Sequence, residues 1–252
     1  MFALLTCAAS LVPGGPPAMH RLGLGRVHGI LAIASLPRRS LLPRRSLLLL
    51  PLAVPLVAAQ PASARNLVRE GMSEFAANRV ERSIELYDEV IAAQPAMKPY
   101  LWQRGLSLYY ANRFAEGAEQ FAADVAVNPN DTEEQIWHLL CVARQKGSLE
   151  AARSSLLTVG VDRRPVMRAV QALFTGRGDE AAVKAFGSGG PGDQFYSELY
   201  LGLYHEARGE SLIAREYMQR AVAGAYRSSG DPMYDLARVH VARRGWASSA
   251  SI

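Results

Sequence analysis

Residues 67–95 read "LVREGMSEFAANRVERSIELYDEVIAAQP", and residues 101–129 read "LWQRGLSLYYANRFAEGAEQFAADVAVNP". Laid over one another at an offset of 34 residues, they align Gly71 with Gly105, Phe75 with Tyr109 and Asn78-Arg79 with Asn112-Arg113. The same offset aligns Ser83 with Gly117, Tyr87 with Phe121 and Pro95 with Pro129. Each residue type has a physical role. Glycine lacks a Cβ and lets two helices approach. Ser83 and Gly117 are small where paired helices cross. Tyr87 and Phe121 fill the interhelical space with large apolar area. Asn tolerates the left-handed backbone of a tight turn. Proline ends the second helix, because it has no N–H and clashes with the preceding turn.

A 34-residue period with these residue types is the signature of the tetratricopeptide (TPR) repeat. A third unit follows. Asp131 and Glu134 read as a capping box. "EEQIWHLLCVARQ" reads as its first helix, Lys146-Gly147 as the turn, and "SLEAARSSLLTVG" as its second helix with Ala151 at the small crossing position. Ser155 stands in the slot of Phe121. After Gly160 the period slips, and "RPVMRAVQALFTGRGDEAAVKAFG" reads as a degenerate unit. Residues 187–194, "GSGGPGDQ", read as a flexible connection. "FYSELYLGLYHEARGESLIAREYMQRAV" restores the pattern with Gly202, Ala214 and Met218. Asp231-Pro232 then opens a closing helix, "PMYDLARVHVARR", with arginines near its end. Trp246 is a candidate anchor in the tail 245–252. The expected fold is an all-α, TPR-type α-solenoid over residues 65–244, with three clear repeats, a degenerate one and a closing helix. Stacked units share a core that none could bury alone.

N-terminal to the array the character changes. The chain has 252 residues and a formal net charge of +5. Residues 1–64 carry six arginines, no lysine and no acidic residue, and the remainder has 22 basic residues against 23 acidic ones. The basic excess therefore belongs to the first segment, and the rest offers no electrostatic case for nucleic-acid binding. Residues 47–59 form an apolar run broken by Pro51 and Pro55, shorter than a membrane span of about 20 residues. Arg44-Arg45 precedes it, with Arg38-Arg39 a second pair, and Ala62-Ser63-Ala64 follows as an A-x-A cleavage site. Upstream of that, residues 1–40 have transit-peptide composition. Two labels in series resemble the bipartite presequence of thylakoid-lumen proteins, so residues 1–64 are expected to be cleaved. A bacterial export signal with an upstream start, a retained anchor and mitochondrial import are the alternatives. The sequence does not decide between twin-arginine and Sec export.

Candidate chemistry is sparse. Gly187, Gly189 and Gly192 match G-x-G-x-x-G, but "DEAAVKAF" before them reads as helix, and a nucleotide fingerprint follows a strand. His138, His205 and His240 show no metal-ligand spacing and read as helix-surface or semi-buried. Glu133-Glu134 and Asp179-Glu180 read as helix-start electrostatics rather than an acid/base pair. Cys141 is the only thiol after residue 64 and reads as a small buried hydrophobe. No cofactor, metal or catalytic residue is expected, and the protein is read as non-enzymatic.

The second repeat with the following "IWHLL", and the last repeat after a degenerate middle, resemble bacterial NlpI-type periplasmic TPR lipoproteins over roughly residues 67–243. The resemblance implies an all-helical, often dimeric adaptor that docks extracytoplasmic proteases or cell-wall hydrolases. This chain departs from it in having Ala64-Arg65 where a lipobox cysteine would stand. First helices of TPR units line a concave groove, and projecting the groove positions gives Val68, Met72, Phe75, Trp102, Leu106, Tyr109, Tyr110, Ile136, Leu140 and Arg144. Apolar residues at 68, 72, 102 and 106 replace the lysine and asparagine of a carboxylate clamp. The expected function is a protein–protein adaptor of the thylakoid lumen with an aromatic recognition groove and a protein partner. An assembly or repair factor for a photosynthetic complex, a ligand-binding or enzyme-like protein, and a structural homodimer are the alternatives.

Overall fold

A computed structural model describes residues 62–247. The arginine pairs, the apolar run 47–59 and nearly all of the expected targeting segment lie outside the described residues, as do residues 248–252. Among the described residues the chain is all-helical, with no strand and no helix long and apolar enough to cross a membrane.

Eleven α-helices follow one another among the described residues: α1 (Ala62–Ala76), α2 (Val80–Ala93), α3 (Trp102–Tyr110), α4 (Phe114–Val127), α5 (Thr132–Lys146), α6 (Leu149–Ala152), α7 (Pro165–Phe174), α8 (Glu180–Lys184), α9 (Pro191–Ala207), α10 (Ser211–Ala223) and α11 (Pro232–Arg243). Neighbours in sequence pack as pairs, α1 on α2, α3 on α4 and α9 on α10, and α4 packs on α5 to continue the core.

The aligned residues meet as their chemistry requires. A Cβ on Gly71 would lie 2.7 Å from the Tyr87 ring, and one on Gly105 would lie 2.6 Å from the Phe121 ring. Gly202 meets Met218 in the same way. Gly117 faces Cys141, where a Cβ would lie 2.9 Å from the sulfur. Burial pushes the Cys141 thiol well above its ordinary pKa. Asn78 and Asn112 both take φ +60°, the left-handed turn that asparagine tolerates. Pro95 follows the end of α2, and the second proline, Pro129, follows the end of α4.

Two expectations are corrected. The second helix of the third unit does not extend to residue 160. α6 ends at Ala152, a 3₁₀ turn covers Arg153–Ser155, and Leu156 turns extended at ψ 128°. The Ser154 hydroxyl bonds the Ala151 carbonyl, the local competition that makes serine a poor helix interior. No aromatic at 155 holds the helix down. Ala151 is exposed and Ala152 buried, so the crossing position slips by one. Residues 187–194 are not a free connection, because Pro191 occupies the first turn of α9. The closing helix expected after Asp231-Pro232 is present. α11 packs against α10 and also against α1. Its side chains Met233, Leu236, Val239 and Val241 join the main core, and Trp246 packs on that core beyond it.

Candidate functional site

Asp231 begins α11 by accepting the Met233 N–H at 2.9 Å. Its other oxygen accepts the hydroxyls of Tyr196 at 2.9 Å and Tyr226 at 2.7 Å. The start of α11 is thereby fixed to α9, facing α3 and α5. Two adjoining cavities open along this line. One, of about 220 Å³, is walled by Phe121, Trp137 and Tyr196 together with Asp131, Glu133, Glu134 and Asp231. The other, of about 130 Å³, is walled by Met72, Phe75, Tyr87, Gln103 and Asp235. Trp102, Leu106 and Pro232 line both.

Four of the ten groove residues expected from sequence therefore come together here: Met72, Phe75, Trp102 and Leu106. Val68 instead packs on the small cluster of Ala64, Tyr87, Val90 and Leu101. Tyr109, Tyr110, Ile136 and Leu140 are at most 2% exposed and belong to the core. They cannot form a contact face: Tyr109 packs on Trp137 of α5, Tyr110 on His240 of α11, and Ile136 and Leu140 are part of the main core. Arg144 is exposed, with its guanidinium 4.7 Å above the Phe114 ring.

The acidic side of the larger cavity was not read from sequence. Asp131 caps α5 by accepting the Glu133 N–H at 3.0 Å, and its own N–H bonds the Asn128 carbonyl. The expected capping box is therefore not made, because the N–H that Glu134 should accept is already used. Glu134 is 6% exposed, and its Oε2 has no hydrogen-bond partner. Burial, reinforced by Asp131 and Asp124, pushes its carboxyl up to about 10. The Trp137 indole N–H also lacks a partner. Glu133 differs from its neighbour: it accepts from Arg164 at 2.6 Å and from the Tyr200 hydroxyl at 3.0 Å. Burial still raises its pKa, opposed by Arg164. On α4, Asp124 is raised to about 6, chiefly by burial.

His138, His205 and His240 are more buried than the sequence suggested, at 8% exposed or less. His240 bonds the Tyr110 hydroxyl, and His205 bonds Glu210. Among the described residues, no group of three or more His, Cys, Asp or Glu is placed to hold a metal ion. Neither known protein-family models nor curated proteins gave a match to the chain.

Proposed function

We propose that the chain is a TPR-type helical scaffold that binds a partner protein, acting without catalysis in the thylakoid lumen after loss of its N-terminal segment. The observation that carries the reading is the aromatic cleft around Trp102. It is built from the first helices of successive 34-residue units and left open beside the start of α11. Trp102 is half-buried, with apolar surface on both sides of it, and tryptophan at the centre of a cleft is a frequent anchor of protein interfaces. The compartment rests on the arrangement of the first 64 residues.

A photo-cross-linking residue at position 102 tests the interface, with the exposed Glu119 of α4 as control. In intact organelles, position 102 should give discrete adducts with one partner and position 119 should not. Equal adducts at both positions, or none at 102, would remove the cleft as the interface. Sequencing the N-terminus of protein from the lumenal fraction tests the compartment. A start at Arg65 is expected, and an intact chain in the membrane fraction would overturn it.

A further inference from the structure

We propose that the larger cavity is a receptor for a basic side chain, an arginine of the partner protein that inserts beside an apolar residue seated in the smaller cavity. The inference rests on the reading of the protein as a partner-binding scaffold and names the chemistry its cleft selects.

Three observations point to a cation. The cavity walls carry four carboxyl side chains, from Asp131, Glu133, Glu134 and Asp231, and no basic residue lines it. Its remaining walls are apolar and include the rings of Trp102, Trp137 and Phe121, faces over which a guanidinium is held by the ring quadrupole, whereas Tyr196 already carries Arg164 at 5.2 Å. Asp131, Asp231 and Glu133 already have internal partners, but Glu134, more than nine-tenths buried, keeps a carboxyl oxygen with none. A buried polar group without a partner costs about 1–3 kcal/mol. A guanidinium donor would supply what Glu134 lacks. The adjoining cavity is mostly apolar and shares Trp102, Leu106 and Pro232 with the first. The occupant is therefore an apolar–basic pair rather than a lone cation.

The charges facing Glu134 set how binding responds to pH. Asp131 precedes its helix, Asp124 faces it from α4, Glu133 with Arg164 lies beside it, and Asp231 begins α11. The carboxyl is protonated at neutral pH in the free protein. An arriving guanidinium favours the ionised form, so binding releases a proton and tightens as pH rises.

The probe is N-acetyl-Leu-Arg-amide, compared with the Leu-Gln and Leu-Glu peptides by tryptophan fluorescence, since Trp102 and Trp137 line the cavity. Only the arginine peptide should bind, with affinity rising severalfold from pH 7 to pH 9. Glu134→Gln should weaken it about tenfold or more and remove the pH dependence. Circular dichroism confirms that the variant is folded. Should it fail to fold, the wild-type ranking of the three peptides and its pH slope decide the matter. Equal binding of the Leu-Arg and Leu-Gln peptides would overturn the inference. So would absence of arginine-peptide binding while position 102 still cross-links a partner, and the scaffold reading would then stand. Absence of both would remove the two together.

Discussion

The Tyr110 hydroxyl lies 2.9 Å from Nδ1 of His240, joining residues 130 apart in sequence inside the core. Both residues are at most 1% exposed. Around them Arg244 pairs with Glu206, and Arg243 reaches Glu81 at 3.2 Å on α2. These contacts tie α11 and the residue after it to α2, α3 and α9. Tyr110→Phe keeps the ring and leaves the buried imidazole nitrogen without its partner. Urea denaturation should show a loss of about 1–3 kcal/mol. In a double-mutant cycle with His240→Leu, the two losses should be less than additive by about 1 kcal/mol.

His240 also gives the fold a sensitivity to acid. Burial pushes its pKa down from 6.5 to about 4; Glu206 opposes the shift and Arg244 adds to it. Protonation therefore favours the unfolded chain. The contribution is complete above about pH 6.5 and is lost as pH falls through 4, at up to about 1.4 kcal/mol per pH unit. Asp124 titrates with the opposite sign in part of this window, because its folded pKa is raised. The measurement is therefore the difference between wild type and His240→Gln in denaturation midpoints from pH 7 to pH 4. The variant should lose less stability on acidification, and parallel curves would exclude the histidine as the cause.

Glu134 behaves in the reverse sense. Its folded pKa lies far above the usual 4.5, so its contribution is fully present below 4.5 and is lost as pH rises toward 10. Glu134→Gln should leave stability at pH 4 nearly unchanged and raise it at pH 8, by on the order of 1–3 kcal/mol. Thermal melts of the two proteins at both pH values check this. A gain of equal size at pH 4 would locate the effect in packing instead of in charge.

The first two units were legible because their signals are local and repeated. Gly71 with Tyr87 and Gly105 with Phe121 each encode one close helix contact, and Asn78 and Asn112 each encode one left-handed turn. The third unit was not legible beyond Ala152, because helix propensity in "RSSLLTV" loses to serine hydroxyls and to packing that only the assembled chain supplies. Arg153, for example, leaves helical duty to donate to the Phe174 carbonyl at 2.9 Å. The candidate site was half legible. Periodicity placed Met72, Phe75, Trp102 and Leu106 on one face. Burial of Tyr109 and Tyr110 depends on where α11 lands, and no period specifies that. Glu134 was hidden by a plausible local role: Asp131 three residues before it has the spacing of a capping box. Only the Asn128 carbonyl, taking the Asp131 N–H, shows that the role is unavailable.

The repeated glycines offer a prediction whose sign separates two effects. Replacing a mid-helix glycine with alanine ordinarily stabilises a helix by about 1 kcal/mol, because alanine restricts the unfolded backbone. At Gly105 the new methyl would enter the Phe121 ring, 2.6 Å from its nearest carbon. That ring is buried and stacks near Trp137 at a centroid distance of 6.4 Å, so it has little room to retreat. Overpacking of this kind costs about 1–3 kcal/mol. Gly105→Ala should therefore destabilise in urea denaturation despite its favourable propensity. Phe121→Leu removes the obstructing ring and should itself cost about 1–2 kcal/mol in lost packing. With leucine at 121, alanine at 105 has space, and only the propensity term remains. The effect of Gly105→Ala should then shrink or reverse in the double variant. The same cycle at Gly71 and Tyr87 should give the same pattern, because the contact there is the same one 34 residues earlier. A Gly105→Ala loss that persists undiminished with leucine at 121 would mean that glycine is held by something other than the facing ring.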